Sequence, residues 1–397
     1  MAGQEIANNS MEEIQLDEDG RRPLTITVTQ PLQQPTVTYA NAAPSQSDKP
    51  LLDKYTSIVD QQRLSWTTYH HLTKLLGSGG QGKVYLSQRK GADGFTLPIA
   101  IKIFSPERFA DESSYAHTMK RHARVAMQIA QIQHDNLLDV QDFVDRKRIR
   151  MLVMEWIDGL DLRILLNNQQ LAKLEDRVSS SRWKHINHVI ITDGPKQPQF
   201  HPGCAVAIAR ECLSALEALH RNGIVHGDIK PGNIMIKRTG AAKIIDIGSA
   251  FAIDEPPEQR TCTPAYAAPE VLKGEKATPL SDLASLGYVL IELISGRNPF
   301  AGKKTYNEMI QAKIDLPQQL KGFIPTGIGN TALLTNFCRR LIAADPGERF
   351  HDAYEAHLKQ EGAADYHRQL VLESEDNEYE HEIGQWIEET MDAHNEV

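Results

Sequence analysis

Cysteine is scarce in this chain: four among 397 residues, at Cys204, Cys212, Cys262 and Cys338. No two of them form a CxxC pair and none has a histidine at zinc spacing. That argues against a disulfide framework or a structural zinc site, and for free thiols in a reducing compartment. Long apolar runs are missing too, since none approaches the roughly 18–20 residues a membrane-spanning helix needs. The opening stretch, MAGQEIANNSMEEIQLDEDG, carries acids where a signal peptide would have an apolar core. No internal repeat and no sensor or DNA-binding module is recognisable. A soluble, cytoplasmic protein is expected, with neither membrane nor nucleic acid as a partner.

A hydrophobic fraction of 41% with 24% charged residues is enough for a sizeable core. The formal charge of −9 hides a division. Residues 1–50 hold seven acids and three bases, and 351–397 hold fourteen acids and two bases, which leaves 31 acids and 38 bases between. A basic middle suits an anionic ligand, although such an excess is as often a solvated face.

Residues 1–65 are polar and Pro-punctuated and read as a flexible tail, with one alternating stretch over 24–29 that would suit a short strand. β-rich runs then surround one helical stretch near 112–133, and after Met154 the texture turns helical, clearest at 203–222 and 281–295. Residues 173–202, Ser- and Pro-rich and basic, read as an insertion on the second part. Residues 351–397 read as an acidic, partly helical and solvated tail; folding back on the basic middle as an autoinhibitor is the alternative. His185, His188 and His201 are too irregularly spaced to suggest a metal site.

The chemistry-bearing residues begin with Leu75-Leu76-Gly77-Ser78-Gly79-Gly80-Gln81-Gly82-Lys83-Val84. Glycine-rich turns are common, but this one runs on into Val84-Tyr85-Leu86 as a strand, whereas the dinucleotide fingerprint opens a helix. Strand, glycine loop and strand make a flap whose backbone amides lie over phosphates with no Cβ in the way. Twenty residues after Gly82, Ile99-Ala100-Ile101-Lys102 puts a small side chain and an ammonium on one face of a strand. Farther on come His226-Gly227-Asp228-Ile229-Lys230-Pro231-Gly232-Asn233 and Asp246-Ile247-Gly248. Two carboxylates, an amide and an ammonium at these spacings suit phosphoryl transfer from a metal-bound nucleotide.

In these motifs the chain resembles the eukaryotic-type (Hanks-type) serine/threonine protein kinases, from about residue 70 to 350. The resemblance implies an α+β, bilobal fold over 66–350, a small β-rich N-lobe at 66–155 and a larger helical C-lobe at 156–350, with ATP and Mg²⁺ between them. Leu76, Gly77, Ser78, Gly79, Gly80, Gln81, Gly82, Lys83 and Val84 would cover the nucleotide. Val84, Ala100 and Met235 would sandwich adenine, with Met154 as gatekeeper. Glu155 and Ile157 would bond the base from the hinge, Asp161 the ribose, and Lys102 the phosphates. Asp228 looks like the catalytic base, Lys230 like the lysine on the transferring phosphate, and Asn233 and Asp246 like the Mg²⁺ ligands. Thr263-Pro264-Ala265-Tyr266-Ala267-Ala268-Pro269-Glu270 resembles the peptide-docking segment. Asp282 matches the aspartate that braces the catalytic loop, and Arg349 matches the partner of Glu270. The implied acceptors are Ser/Thr hydroxyls of proteins, the chain itself among them.

Departures from the family pattern qualify this. The helix glutamate expected to pair with Lys102 is absent; its slot falls on Val125, and Asp111 and Glu112 lie about four turns upstream. A nucleotide-binding pseudokinase scaffold is therefore the alternative, ahead of a small-molecule kinase, which would lack the docking segment. Gly227 stands where many members have an arginine, so activity is expected not to require phosphate on Thr261 or Thr263. Ile247 replaces the usual Phe.

Overall fold

In the computed structural model of this chain the described residues are 57, 70–257, 262–325, 331–372 and 379–395. The expected strand over 24–29 and the phosphoacceptor candidate Thr261 lie outside them. No helix among the described residues is long and apolar enough to cross a membrane.

Five antiparallel strands build the first lobe: β1 (His70–Gly79), β2 (Gly82–Lys90), β3 (Thr96–Phe104), β4 (Val140–Arg146) and β5 (Ile149–Glu155), in the order β1-β2-β3-β5-β4. Alternation along β3 decides what faces the cleft. Ile99 and Ile101 pack with Val153 into a separate cluster. Ala100, Lys102 and Phe104 point to the other face, where Ala100 and Phe104 join the main core.

That face is covered by α1 (Glu112–Ile129). Asp111 starts it with a capping box: its carboxylate accepts from the Ser114 amide at 2.7 Å and the Ser114 hydroxyl accepts from the Asp111 amide at 3.3 Å. Tyr115, Met119, His122, Ala126 and Ile129 recur at four- and three-residue steps, one stripe of a helix turned to the sheet. Polar groups in that stripe are the His122 ring and the Tyr115 hydroxyl, which donates to the Phe104 carbonyl at 3.3 Å.

The second lobe contains β6 (Gly159–Asp161), α2 (Asn168–Glu175), α3 (Ser180–Val189), α4 (Pro202–Arg221), β7 (Ile234–Lys237), β8 (Ala242–Ile244), α5 (Pro279–Ser295), α6 (Tyr306–Gln319), α7 (Ala363–Leu372) and α8 (Tyr379–Asn395). The β8-β7-β6 sheet sets Met235 opposite Asp161. In α5 every residue from Ser281 to Ser295 is buried, which fits a helix that is apolar nearly all round. It forms the post around which the lobe packs.

Residues 173–202 fold as the end of α2, all of α3 and a small hairpin pairing Ile191–Thr192 with Gln199–Phe200. Ile186, Ile190 and Phe200 are fully buried. α8 packs on Phe200 and against α2 and α4, so the described part of 351–397 does not stand off as a solvated tail. Ile383, Trp386, Ile387 and Met391 form an apolar stripe against α2 and α4, and Trp386 meets Phe200 edge-on, centroids 5.6 Å apart. The flanking acids are used locally: Arg182 pairs with Glu389 at 2.9 Å and Glu382 at 3.3 Å, and His185 meets Glu382 at 2.9 Å. These contacts are on the lobe's own surface, not with the glycine flap. His188 is exposed, and no metal-holding group of His, Cys, Asp or Glu occurs among the described residues.

Candidate active site

The glycine flap is the β1–β2 hairpin, closed by pairing of Gly79 with Gly82 around Gly80 and Gln81. Gly82 has φ +142°, and a Cβ there would strike the Ile103 carbonyl, so glycine is required for the flap to lie down on β3. A Cβ on Gly77, Gly79 or Gly80 would meet nothing, leaving that side of the flap open. The flap side chains divide. Leu76, Ser78 and Lys83 are exposed, while Gln81 and Val84 are partly covered, Val84 against the main core.

Below the flap, Ala100 pairs with Met154 across β3 and β5. Both belong to the cluster against which Val84 and Met235 pack, giving an apolar slot from residues on three strands of one sheet and one strand of another. At its edge, β5 ends in Glu155, whose carboxylate holds Lys243 and the Asp139 amide, each at 2.6 Å. Ile157 is buried just beyond. Asp161 caps the turn that follows, its carboxylate accepting from the Ile164 amide at 3.0 Å and from Arg163 at 3.2 Å.

Lys102 is 4% exposed and its ammonium donates to Asp246 at 2.5 Å and to the Gln81 amide oxygen at 2.8 Å. Asp246 takes up a left-handed backbone (φ 61°, ψ 81°) and accepts from the Gly248 amide at 3.0 Å. Burial works against its charge, but Lys102 outweighs burial and holds the carboxyl at about 2. It is ionised at neutral pH.

No helix carboxylate reaches Lys102. Val125, in the slot where the family pattern puts a glutamate, is buried in the core. Asp111 is consumed as the cap of α1, and Glu112 pairs with Arg148 at 2.7 Å. What α1 turns toward the lysine is His122, stacked on Phe104 with centroids 5.5 Å apart. Burial, then the Lys102 charge, push its pKa down to about 4, so the ring is neutral. The sequence signal for it was available: a polar residue in the middle of an apolar helical stripe.

The catalytic loop is braced from below. Asp282, 1% exposed, accepts from the amides of His226 and Gly227 and meets His220, all at 2.9 Å. Gly227 has φ +76°, a conformation glycine adopts without strain. This tight loop delivers Asp228 beside Lys230, 2.5 Å apart. The Asn233 amide donates to the Asp228 carbonyl at 2.7 Å and to its carboxylate at 3.2 Å. With its NH₂ spent there, Asn233 keeps a carbonyl oxygen to offer. That oxygen and the ionised Asp246 are the hard donors Mg²⁺ takes. These residues fit a nucleotide with its metal.

The remaining oxygen of Asp228 accepts from the Thr263 hydroxyl at 2.8 Å, and Lys230 lies 3.1 Å from the same hydroxyl. Beyond Thr263 the segment is pinned twice. Glu270 and Arg349 make two bonds of 2.7 and 2.8 Å in a buried pair. Lys313 of α6, fully buried between Tyr288 and Phe300, donates to the Ala265 carbonyl at 2.8 Å. Burial lowers the pKa of Lys313 to about 6. Nothing in the sequence marks that lysine, because its cage comes from two separate elements.

Comparison with known proteins agrees with this geometry. The model of the protein kinase domain matches residues 69–360. Similar curated proteins include the serine/threonine-protein kinase PrkC of Bacillus subtilis, 28% identical over 291 residues, 72% of this chain and 39% of that protein. PknB of Mycobacterium tuberculosis is 29% identical over 301 residues, 72% of this chain and 41% of its own length. PknB of Mycobacterium leprae is 32% identical over 244 residues, 59% and 33% of the two chains. The chain thus spans about two fifths or less of these relatives. A matching domain over most of its length, with the cleft residues gathered as described, means that the chain belongs to the protein kinase family, in its Hanks-type serine/threonine branch.

Proposed function

We propose that this chain transfers the γ-phosphoryl group of ATP, with Mg²⁺, to Ser/Thr hydroxyls of proteins, itself included. The observation that carries the reading is the hydroxyl of Thr263 seated on the Asp228 carboxylate with Lys230 beside it. A substrate hydroxyl needs the same arrangement: an acceptor for its proton and a cation for the charge on the group it attacks.

When bound, Mg²⁺–ATP supplies the phosphoryl group and a divalent charge on its oxygens. Asn233 and Asp246 would hold the metal. Lys102 would lie on the phosphates, and the slot of Val84, Ala100, Met154 and Met235 would take the base, with the Glu155–Ile157 hinge at its edge. Asp228 orients the hydroxyl and receives its proton, and Lys230 balances charge as the bond to oxygen forms. Fixed groups in a covered cleft give most of such an acceleration, since they need no reorganisation during transfer. Four free cysteines, three of them buried, are in keeping with a reducing cytoplasm as its place of work.

The missing helix carboxylate favours one rival, a scaffold that binds nucleotide without transfer. Labelled γ-phosphate from ATP·Mg²⁺, offered to the protein alone and to myelin basic protein, separates the two. Transfer to Ser/Thr by wild type and none by Asp228→Asn is expected. No transfer by wild type, with ATP still raising its melting temperature, would replace the kinase reading with the scaffold.

A further inference from the structure

We propose that Gln81 of the flap takes over the duty of the absent helix glutamate, as the positioning residue that holds the Lys102 ammonium in the cleft. The proposal rests on the nucleotide-binding part of the reading above. A buried ammonium needs an oxygen partner besides the metal-binding aspartate. Otherwise Asp246 would have to serve both the lysine and the metal. The helix offers only a neutral imidazole and the buried Val125 there. The Gln81 amide oxygen, 2.8 Å from Lys102 Nζ, fills the gap.

Three features hold the amide in that position. The Gln81 carbonyl accepts from the Ser105 amide at 3.0 Å, so the flap backbone is tied to the end of β3. Its side-chain NH₂ donates to the Ser249 hydroxyl at 3.1 Å, which sets which end of the amide faces the lysine. Gly248 leaves the room, since a Cβ there would collide with both the Gln81 oxygen and the Lys102 ammonium. Flap, β3 lysine and the segment after Asp246 are joined in one chain of hydrogen bonds. Because its bridge to Lys102 comes from the flap, lysine placement here is linked to flap closure, where a helix carboxylate would link it to helix position.

The test measures affinity for a fluorescent ADP analogue without Mg²⁺ in wild type, Gln81→Met, Gln81→Ala and Lys102→Met. Methionine keeps the bulk of Gln81 and removes the acceptor. Both Gln81 variants are expected to bind about tenfold more weakly, the size of one hydrogen bond to a charged group, with melting temperatures unchanged. In the Lys102→Met background the further change Gln81→Met is expected to do nothing, because the partner is gone. Tighter binding by Gln81→Ala than by wild type would instead make Gln81 a plug that nucleotide displaces. An equal loss from Gln81→Met with and without Lys102 would overturn the proposal as well. Neither result depends on phosphate transfer, so the proposed function and this inference fail separately.

Discussion

Trp386→Ala tests whether α8 belongs to the folded lobe. Trp386 is 1% exposed and stands edge-on to the fully buried Phe200, with an interplanar angle of 89°. Truncation removes the largest fully buried side chain of the described residues and leaves a cavity between α8 and the 191–200 hairpin. Large-to-small changes of this kind cost about 3–5 kcal/mol, of which the ring pair accounts for about 0.5–1.5 kcal/mol. At about 2 °C per kcal/mol for a large domain, the melting temperature should fall by roughly 6–10 °C. Trp386→Phe should cost much less. It keeps a ring against Phe200 and deletes an indole N–H that finds no acceptor among the described residues. The assay is urea and thermal unfolding of the full chain, followed by far-UV circular dichroism. A loss below about 1 kcal/mol in Trp386→Ala would refute the reasoning, because a solvated helix would lose no core on truncation.

Arg349→Met strands Glu270 in a site where burial opposes its charge and Arg349 overcomes burial to lower its pKa. The expected loss is about 3–5 kcal/mol in urea unfolding. In wild type the pair's contribution is present above about pH 4.3 and fades as pH falls through the lowered carboxyl value. Replacing both partners, Glu270→Gln with Arg349→Met, should cost less than Arg349→Met alone. Lys313 gives a pH trend of the same sign in a higher window. The unfolded chain keeps its proton to about pH 10.4 and the folded chain only to about 6. Between those values the unfolded state binds more protons, so stability should climb with pH. Lys313→Met should flatten that climb, and an unchanged slope would mean that the lysine is not buried as described.

Much of the cleft was legible in the chain because its parts are local. The flap glycines, the alternation that sets Ala100 and Lys102 on one face of β3, and the spacing of Asp228, Lys230 and Asn233 each lie within a few residues, with Asp246 one short hairpin farther on. Short-range geometry decides such features. The lobe helices were legible for the same reason, as apolar stripes at 203–222 and 281–295 that became α4 and α5.

What faces Lys102 was not legible, because the answer comes from three places distant in sequence: residue 81, residue 122 and residues 246–249. The sequence showed that a carboxylate was missing from the helix. Only the folded cleft brought the flap amide to the lysine. The acidic C-terminal stretch went the same way. Its composition favours solvation, and a 3–4 spacing of Ile383, Trp386 and Ile387 cannot say which surface will receive it. The receiving surface is built by α2 and α4 together with Phe200, Arg182 and His185 of 173–202, a segment whose own pattern read as an insertion. Helix and surface bury each other's apolar faces, and that pairing, like the Lys313 cage beneath Ala265, exists only once separate elements are packed. Periodicity and motif spacing are properties of neighbours along the chain. Partners between distant elements are chosen by the burial that all of them share.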